Sequence, residues 1–381
     1  MITEQSMNRK ELNEIRRRLR SDRTNISRIY GCYVNGNKEI ISRFDESVGL
    51  LSKEEQEKYI GLLKKTLSGA IGRNLQNLSF TTKQVAEGDE HKLLASMRRT
   101  ALKDPLLLDE FYGAVVRSLS LDESNYLILL AYDAYDVLSY SKNGEKTEDS
   151  DSVFDYILCC VCPVKTAKPV LHYSDEEQCF HNLSLSQIVA APELGFMFPA
   201  FDDRSANIYG TLFYSRDTKG VHGEFIEAVF KAEAPLSPKQ QQDAFSAAVA
   251  ETLEKEGSFD VVRAVHEELR ERIAVHKESK DPEPLELSVE EVEEIFERSG
   301  MESERREDFI SSCAEHFGKD KLLSPDNIIS GKKFDITTEQ VKVSVSPEYS
   351  PFIRAEVIDG KKYILIPADG AVEINGIPVT V

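Results

Sequence analysis

The side chains best suited to chemistry lie in one short run, Asp202-Asp203-Arg204-Ser205-Ala206-Asn207. Paired Asp carboxylates suit a hard cation, Arg204 can offer a phosphate two parallel N–H donors, and Asn207 adds a neutral ligand. His222 and Glu224 follow downstream and could act as acid or base. Asp202, Asp203 and His222 are therefore the candidate catalytic groups, with Arg204 and Asn207 as candidate binding groups. The same residue types also build ordinary turns, in which Asp and Asn bond their own backbone and an arginine pairs with a nearby acid. No established catalytic motif is matched.

Two further sets carry potential chemistry. Cys160-x-Cys162 and Cys179-Phe-His181 supply four residues of types that bind zinc. However, Cys159, Cys160 and Cys162 sit in an apolar run, where free cysteine serves as a small core residue. The sequence assigns no metal site and names no cofactor. Arg16, Arg17 and Arg18, continuing through Arg20 and Arg23 to Arg28, form a cluster suited to phosphate or to an acidic protein surface.

These groups need elements to hold them. Leu194–Phe198 and Ile208–Tyr214 are aromatic-rich runs that read as strands on either side of the 202–207 cluster, joined at one end of a sheet. Polar loops on a rigid sheet are common places for binding and catalysis.

Upstream, Asn8–Arg20 reads as a helix with Leu12, Ile15 and Leu19 on one face. Ile29–Val34 and Glu39–Phe44 read as a hairpin around Asn35-Gly36, a type I′ pair. Ser52 and Glu55 form a capping box for a helix through Leu67. Leu75–Thr81 is a strand, two helices follow, and Asp104-Pro105 opens the second of them. Tyr126–Tyr132 and Tyr156–Val164 read as buried strands separated by a polar loop over 141–152. A helix runs through Phe225 and Phe230.

After Pro235 and Pro238, amphipathic helices carry Phe245, Val249 and Leu253, then Val262, Val265, Leu269 and Ile273. KESKDPEPLE, residues 277–286, reads as a linker. Ser288 and Glu291 cap another helix, and Phe309, Ile310, Cys313 and Phe317 mark the next. A helix-turn-helix reading of 288–317 fails on charge, because Glu290, Glu291, Glu293, Glu294 and Glu297 would meet phosphates. The tail alternates apolar runs with Asp359-Gly360, Asp369-Gly370 and Asn375-Gly376, the pattern of a β-meander. Such a sheet needs a partner for its apolar face, and the helices of 239–318 are the expected one.

The expected fold class is therefore α+β: a mixed N-terminal α+β domain over 1–231, an acidic helical segment over 239–276, and a helical pair with a C-terminal β-meander over 288–381.

With 41% hydrophobic and 30% charged residues, the 381-residue chain has the make-up of a globular protein of two or three domains. Its net charge of -19 disfavours general nucleic-acid binding. The charge is uneven. Residues 1–30 hold eight Lys/Arg and four Asp/Glu, whereas 235–300 hold eight Lys/Arg and seventeen Asp/Glu. Nucleic-acid contact is thus expected only through the N-terminal arginines. No apolar stretch is long enough to span a bilayer, and no secretory signal is visible. Six cysteines in such a chain point to reduced thiols and a cytoplasmic location. The chain lacks G-x-x-x-x-G-K-[ST], G-x-G-x-x-G, H-E-x-x-H and G-x-S-x-G, which argues against the commonest nucleotide-binding, zinc-protease and hydrolase classes.

Three stretches together resemble a known family. They are MNRKELNEIRRRL leading to RIYGCYVNGNKEI, then NYLILLAYDAYDV at 125–137, and PELGFMFPAFDDRSANIY with YILCCVCPVK before it. The resemblance is to a domain-of-unknown-function family, number 4317, met chiefly in low-GC Gram-positive bacteria. It implies a bacterial, cytoplasmic protein, and it transfers no activity, cofactor or site residue. The missing catalytic motifs, the segregated charge and a hinge at 277–286 point instead to a binding or regulatory protein with a protein or ribonucleoprotein partner. The alternative is a metal-assisted hydrolase or phosphoryl-transfer enzyme using the 202–207 cluster with His222.

Overall fold

Asn8 opens the first helix as its position predicts. Its side chain accepts from the Lys10 and Glu11 amides, and the Glu11 carboxylate accepts from the Asn8 N–H at 2.9 Å. That capping box supplies partners to amides that a helix start otherwise leaves orphaned. The computed structural model describes residues 7–121, 124–140, 146–166, 170–183, 187–253, 259–319, 321–368 and 370–380. It is α+β, and its contacts divide it into two units, Met1–Ser237 and Pro238–Val381.

The first unit begins with α1 (Arg9–Arg18), β1 (Arg28–Val34), β2 (Ile40–Ser47), α2 (Lys53–Lys65) and β3 (Leu75–Ser79). Three helices follow, α3 (Thr82–Glu87), α4 (Asp89–Arg99) and α5 (Pro105–Ser118). Next come the long strands β4 (Asn125–Tyr140) and β5 (Lys146–Lys165), then β6 (Val170–Ser174), β7 (Cys179–Leu183) and β8 (Ile188–Val189). The unit closes with β9 (Leu194–Phe198), β10 (Ala200–Asp202), β11 (Ser205–Asn207), β12 (Gly210–Ser215) and α6 (Gly223–Phe230).

Eight of these strands form one antiparallel sheet in the order β2-β1-β4-β5-β9-β12-β3, with β8 beside β5. Helices cover both faces. Ile128, Cys159 and Phe196 pack with Phe111 of α5 and Phe225 of α6 on one face. Leu129, Cys160 and Met197 pack with Ile15 of α1 and Leu63 of α2 on the other. Burial on both faces explains the unbroken apolar runs of the central strands, since alternate side chains enter different cores. Each fully buried residue of this size contributes roughly 1.5–3 kcal/mol.

Two sequence expectations are corrected here. The β1–β2 connection spans residues 35–39 rather than closing as a two-residue type I′ turn. Asn35 Oδ1 accepts from the Asn37 and Glu39 amides, and the left-handed residue is Lys38 at φ 63°. The polar stretch expected as a loop over 141–152 is strand from Lys146 onward, paired with β4 at Val137–Ser152, Leu138–Ser150 and Tyr140–Lys146 with shifts of register between them. Residues 141–145 lie outside the described ones.

The second unit starts with α7 (Pro238–Leu253), α8 (Phe259–Ser279), α9 (Val289–Arg298), α10 (Arg306–Phe317) and α11 (Pro325–Ile328). Phe296 of α9 links this core, with ring centroids 6.2 Å from Phe245 and 4.9 Å from Phe309. The four apolar runs of the tail form two separate hairpins, β15 (Arg354–Ile358) with β16 (Lys361–Leu365) and β17 (Val372–Ile374) with β18 (Ile377–Val379), and a further hairpin upstream pairs β13 (Phe334–Thr337) with β14 (Lys342–Val345). The expected β-meander thus resolves, among the described residues, into independent two-stranded pieces. Both dipeptide turns at Asp359-Gly360 and Asn375-Gly376 have positive φ at each position, as type I′ requires. The expected burial against helices is slight. Ile353 is buried, while Val357, Tyr363, Ile374 and Ile377 are exposed.

Candidate functional site

The 202–207 cluster forms its own small hairpin. Asp202 pairs with Ser205, and the two residues between them, Asp203 and Arg204, take φ of 44° and 57°. This is a type I′ turn built without glycine. Asp202 is buried and accepts from Asn207 Nδ2 at 3.0 Å, while Ser205 Oγ donates to the Asp202 carbonyl. Arg204 donates to Glu14 of α1 at 2.7 Å. Burial raises the Glu11 carboxyl, and the nearby Asp202 charge adds to it; the backbone N–H groups of Asn8, Arg204 and Asp203 act in the opposite sense. The polar groups of the cluster therefore bond one another, the turn backbone and α1.

His222 is elsewhere. Leu194 pairs with Ser215 and Met197 with Leu212, so β9 and β12 carry His222 and the 202–207 hairpin at opposite ends. Five residues of strand place them more than about 13 Å apart. His222 lines a cleft of about 490 Å³ with Ser124, Lys165, Glu193, Arg216 and Asp217. It is the residue before α6, at φ 50° and ψ 56°, a left-handed conformation unusual for a side-chain-bearing residue. Burial pushes its imidazole down, and the charges of Glu193 and Asp217 pull it the other way. Arg216 forms an ion pair with Glu193 across the strand ends. Sequence reasoning found His222 and missed Lys165, Glu193 and Arg216. Their signal was position, since each flanks a strand end.

The arginine cluster splits. Asn13, Arg16, Arg17, Arg20, Arg23 and Lys64 line a cavity of about 360 Å³ on the face shared by α1 and α2. Arg16 is anchored at its base: Nε donates to the Leu67 carbonyl at 2.5 Å, Nη2 to Gly69 at 2.7 Å, and Nη1 to Asn13. It thereby gives partners to two carbonyls of the segment that follows α2. Burial and the neighbouring Arg9 pull its guanidinium downward. Arg17, Arg20 and Arg23 are exposed, and Asp22 lies 3.1 Å from Arg20 and 3.8 Å from Arg23. Arg18 turns away and lies 4.1 Å over the Tyr135 ring. The sequence had grouped Arg18 with its neighbours, but helical rotation points it inward. Lys64, from a different helix, was missed.

The chain matches a family model described as Domain of unknown function (DUF4317) over residues 7–377. It belongs to that family. No curated protein matches it. For this DUF4317 member, the described residues include no helix long and apolar enough to cross a membrane. Cys160 and Cys162 are buried in β5 and Cys179 is exposed on β7, so the four-residue zinc set considered from the sequence does not assemble.

Proposed function

We propose that this is a bacterial, cytoplasmic binding protein whose first unit docks a phosphate-rich ribonucleoprotein surface through the α1–α2 face. The observation that carries the reading is the cavity lined by Arg16, Arg17, Arg20, Arg23 and Lys64 with Asn13, five cations beside which Asp22 pairs with Arg20 and Arg23, in a chain of net charge -19. Overall acidity repels polyanions at long range and restricts their approach to this face. Arg16 is held rigid by backbone carbonyls, and the exposed arginines around it offer paired donors to phosphate oxygens.

Fluorescence anisotropy with a labelled single-stranded RNA tests this. Three or four phosphate contacts give a log–log salt slope of about -2 to -3. The triple change Arg17→Ala, Arg20→Ala, Arg23→Ala should flatten that slope. Binding that ignores salt, or that survives the triple change, rejects the reading.

An enzymatic reading rests on the His222 cleft, with Lys165 and Arg216 as anion contacts and His222 as base. It no longer uses the 202–207 cluster. Phosphate-ester hydrolysis that disappears in His222→Ala would favour it over docking alone.

A further inference from the structure

The β6–β7 hairpin carries an unexpected set of donors. Cys179 and His181 alternate with Phe180 along β7, so they share one face, while Phe180 meets Tyr173 of β6 on the other at 5.2 Å. The turn before β7, with Gln178 at φ 51°, brings Glu177 back over the same face. Glu177 Oε2 lies 2.7 Å from His181 Nε2, and Cys179 Sγ lies 2.8 Å from the same nitrogen. The three donor atoms all fall within 4.8 Å of one another.

One ring nitrogen cannot satisfy both neighbours. If it carries a proton, it donates to the carboxylate or to the sulfur. If it does not, it accepts from the thiol and turns its lone pair toward the carboxylate oxygen. A cation among the three removes the conflict, because each then donates a lone pair to the same centre. We propose that Glu177, Cys179 and His181 bind a divalent transition-metal ion, with zinc the best match to a thiolate, imidazole and carboxylate set. Magnesium and calcium, which take oxygen ligands, fit this set poorly.

Zinc bonds of 2.0–2.3 Å in a tetrahedron separate donors by roughly 3.3–3.8 Å. The side chains must therefore spread by about 1 Å, and all three are exposed. Three protein ligands leave one coordination position open to water. A two-stranded hairpin is marginally stable alone, and β6–β7 pairs with no strand of the eight-stranded sheet among the described residues. The metal would clip the turn to β7 and hold the hairpin.

Cobalt titration of the full chain, first dialysed against a chelator, tests the site. The expected result is one Co²⁺ per chain, a near-ultraviolet thiolate-to-cobalt band, and displacement by Zn²⁺. Cys179→Ser should abolish the band. Glu177→Gln and His181→Ala should each weaken binding by at least about tenfold. The other five cysteines are buried, so Cys313→Ser should keep the band. Hydrogen exchange of residues 170–183 should slow when zinc is added. The absence of a thiolate band with Co²⁺, or its persistence in Cys179→Ser, overturns the proposal.

Discussion

Arg204 Nη1 donates to Glu14 Oε2 at 2.7 Å, and the hydroxyl of Tyr135 donates to the other oxygen of that carboxylate. One acid of α1 thus holds both the tip of the β10–β11 hairpin and the side of β4. The pair is partly exposed, at 34% and 26% of the two side chains, so solvent screens it. Arg204→Ala should cost about 1 kcal/mol, a Tm loss of roughly 2–4 °C for a unit of this size. Calorimetry on the variant checks this. An unchanged Tm would separate Arg204 from any structural role and return it to the list of binding groups.

Asp133 is the more consequential carboxylate. It is buried and accepts from Thr24 Oγ1, the Asn25 and Ala134 amides, and Tyr156 Oη at 2.8 Å. Burial and the adjacent Asp133 charge hold the Tyr156 phenol well above its usual range, so it stays a donor. Asp133→Ala would leave the Tyr156 hydroxyl and the Asn25 amide without partners in a dry interior. We expect a loss of about 3 kcal/mol or more, against about 1 kcal/mol for Tyr156→Phe. Urea unfolding of the two variants distinguishes them, and similar midpoints would mean that the network is not centred on the acid.

Arg16 and Arg17 are neighbours with different work. Arg16 bonds two carbonyls beyond α2, whereas Arg17 is exposed in the cavity wall. Arg16→Ala should lower stability by about 1–2 kcal/mol. Arg17→Ala should leave stability within about 0.5 kcal/mol and weaken RNA binding with a reduced salt slope. Parallel melting and anisotropy measurements test the division. Equal effects of the two changes on both readouts would show that the face acts as one undivided patch.

The features legible in the sequence are those decided within a few residues. The capping boxes of α2 and α9 appear where Ser52 and Ser288 place them, and α1 starts at the expected place, with Asn8 as its cap. The turns at Asp359-Gly360 and Asn375-Gly376 follow from residues that tolerate positive φ. The start of β5 was hidden because Lys146–Ser152 has no apolar alternation, and only pairing with β4 makes it a strand. The sites were hidden for a related reason. Whether His222 meets Asp202 depends on which sheet end each strand delivers it to, a property of strand direction and pairing rather than local composition. Glu177 gains meaning only when a turn folds it over Cys179 and His181.

The second unit contains a pH-dependent residue. Burial, with the adjacent Arg270 charge, pushes the His266 imidazole down to about 4. Its ring sits 6.0 Å from that of Phe334. An unfolded histidine titrates near 6.5, so between roughly pH 6.5 and 4 the unfolded state binds more protons than the folded one. Stability contributed by neutral His266 is therefore complete above about pH 6.5 and falls as the pH drops toward 4. The full difference is about 2–3 kcal/mol, allowing for the water that reaches a half-buried ring. Carboxylates titrate in the lower part of this window, so the measurement is a comparison between wild type and His266→Gln. Urea midpoints of the full chain at pH 7.5, 6.0 and 5.0 should converge as the pH falls, because the variant lacks the titrating group. A constant gap between the two curves would show that His266 takes up its proton in the folded state as readily as in the unfolded one.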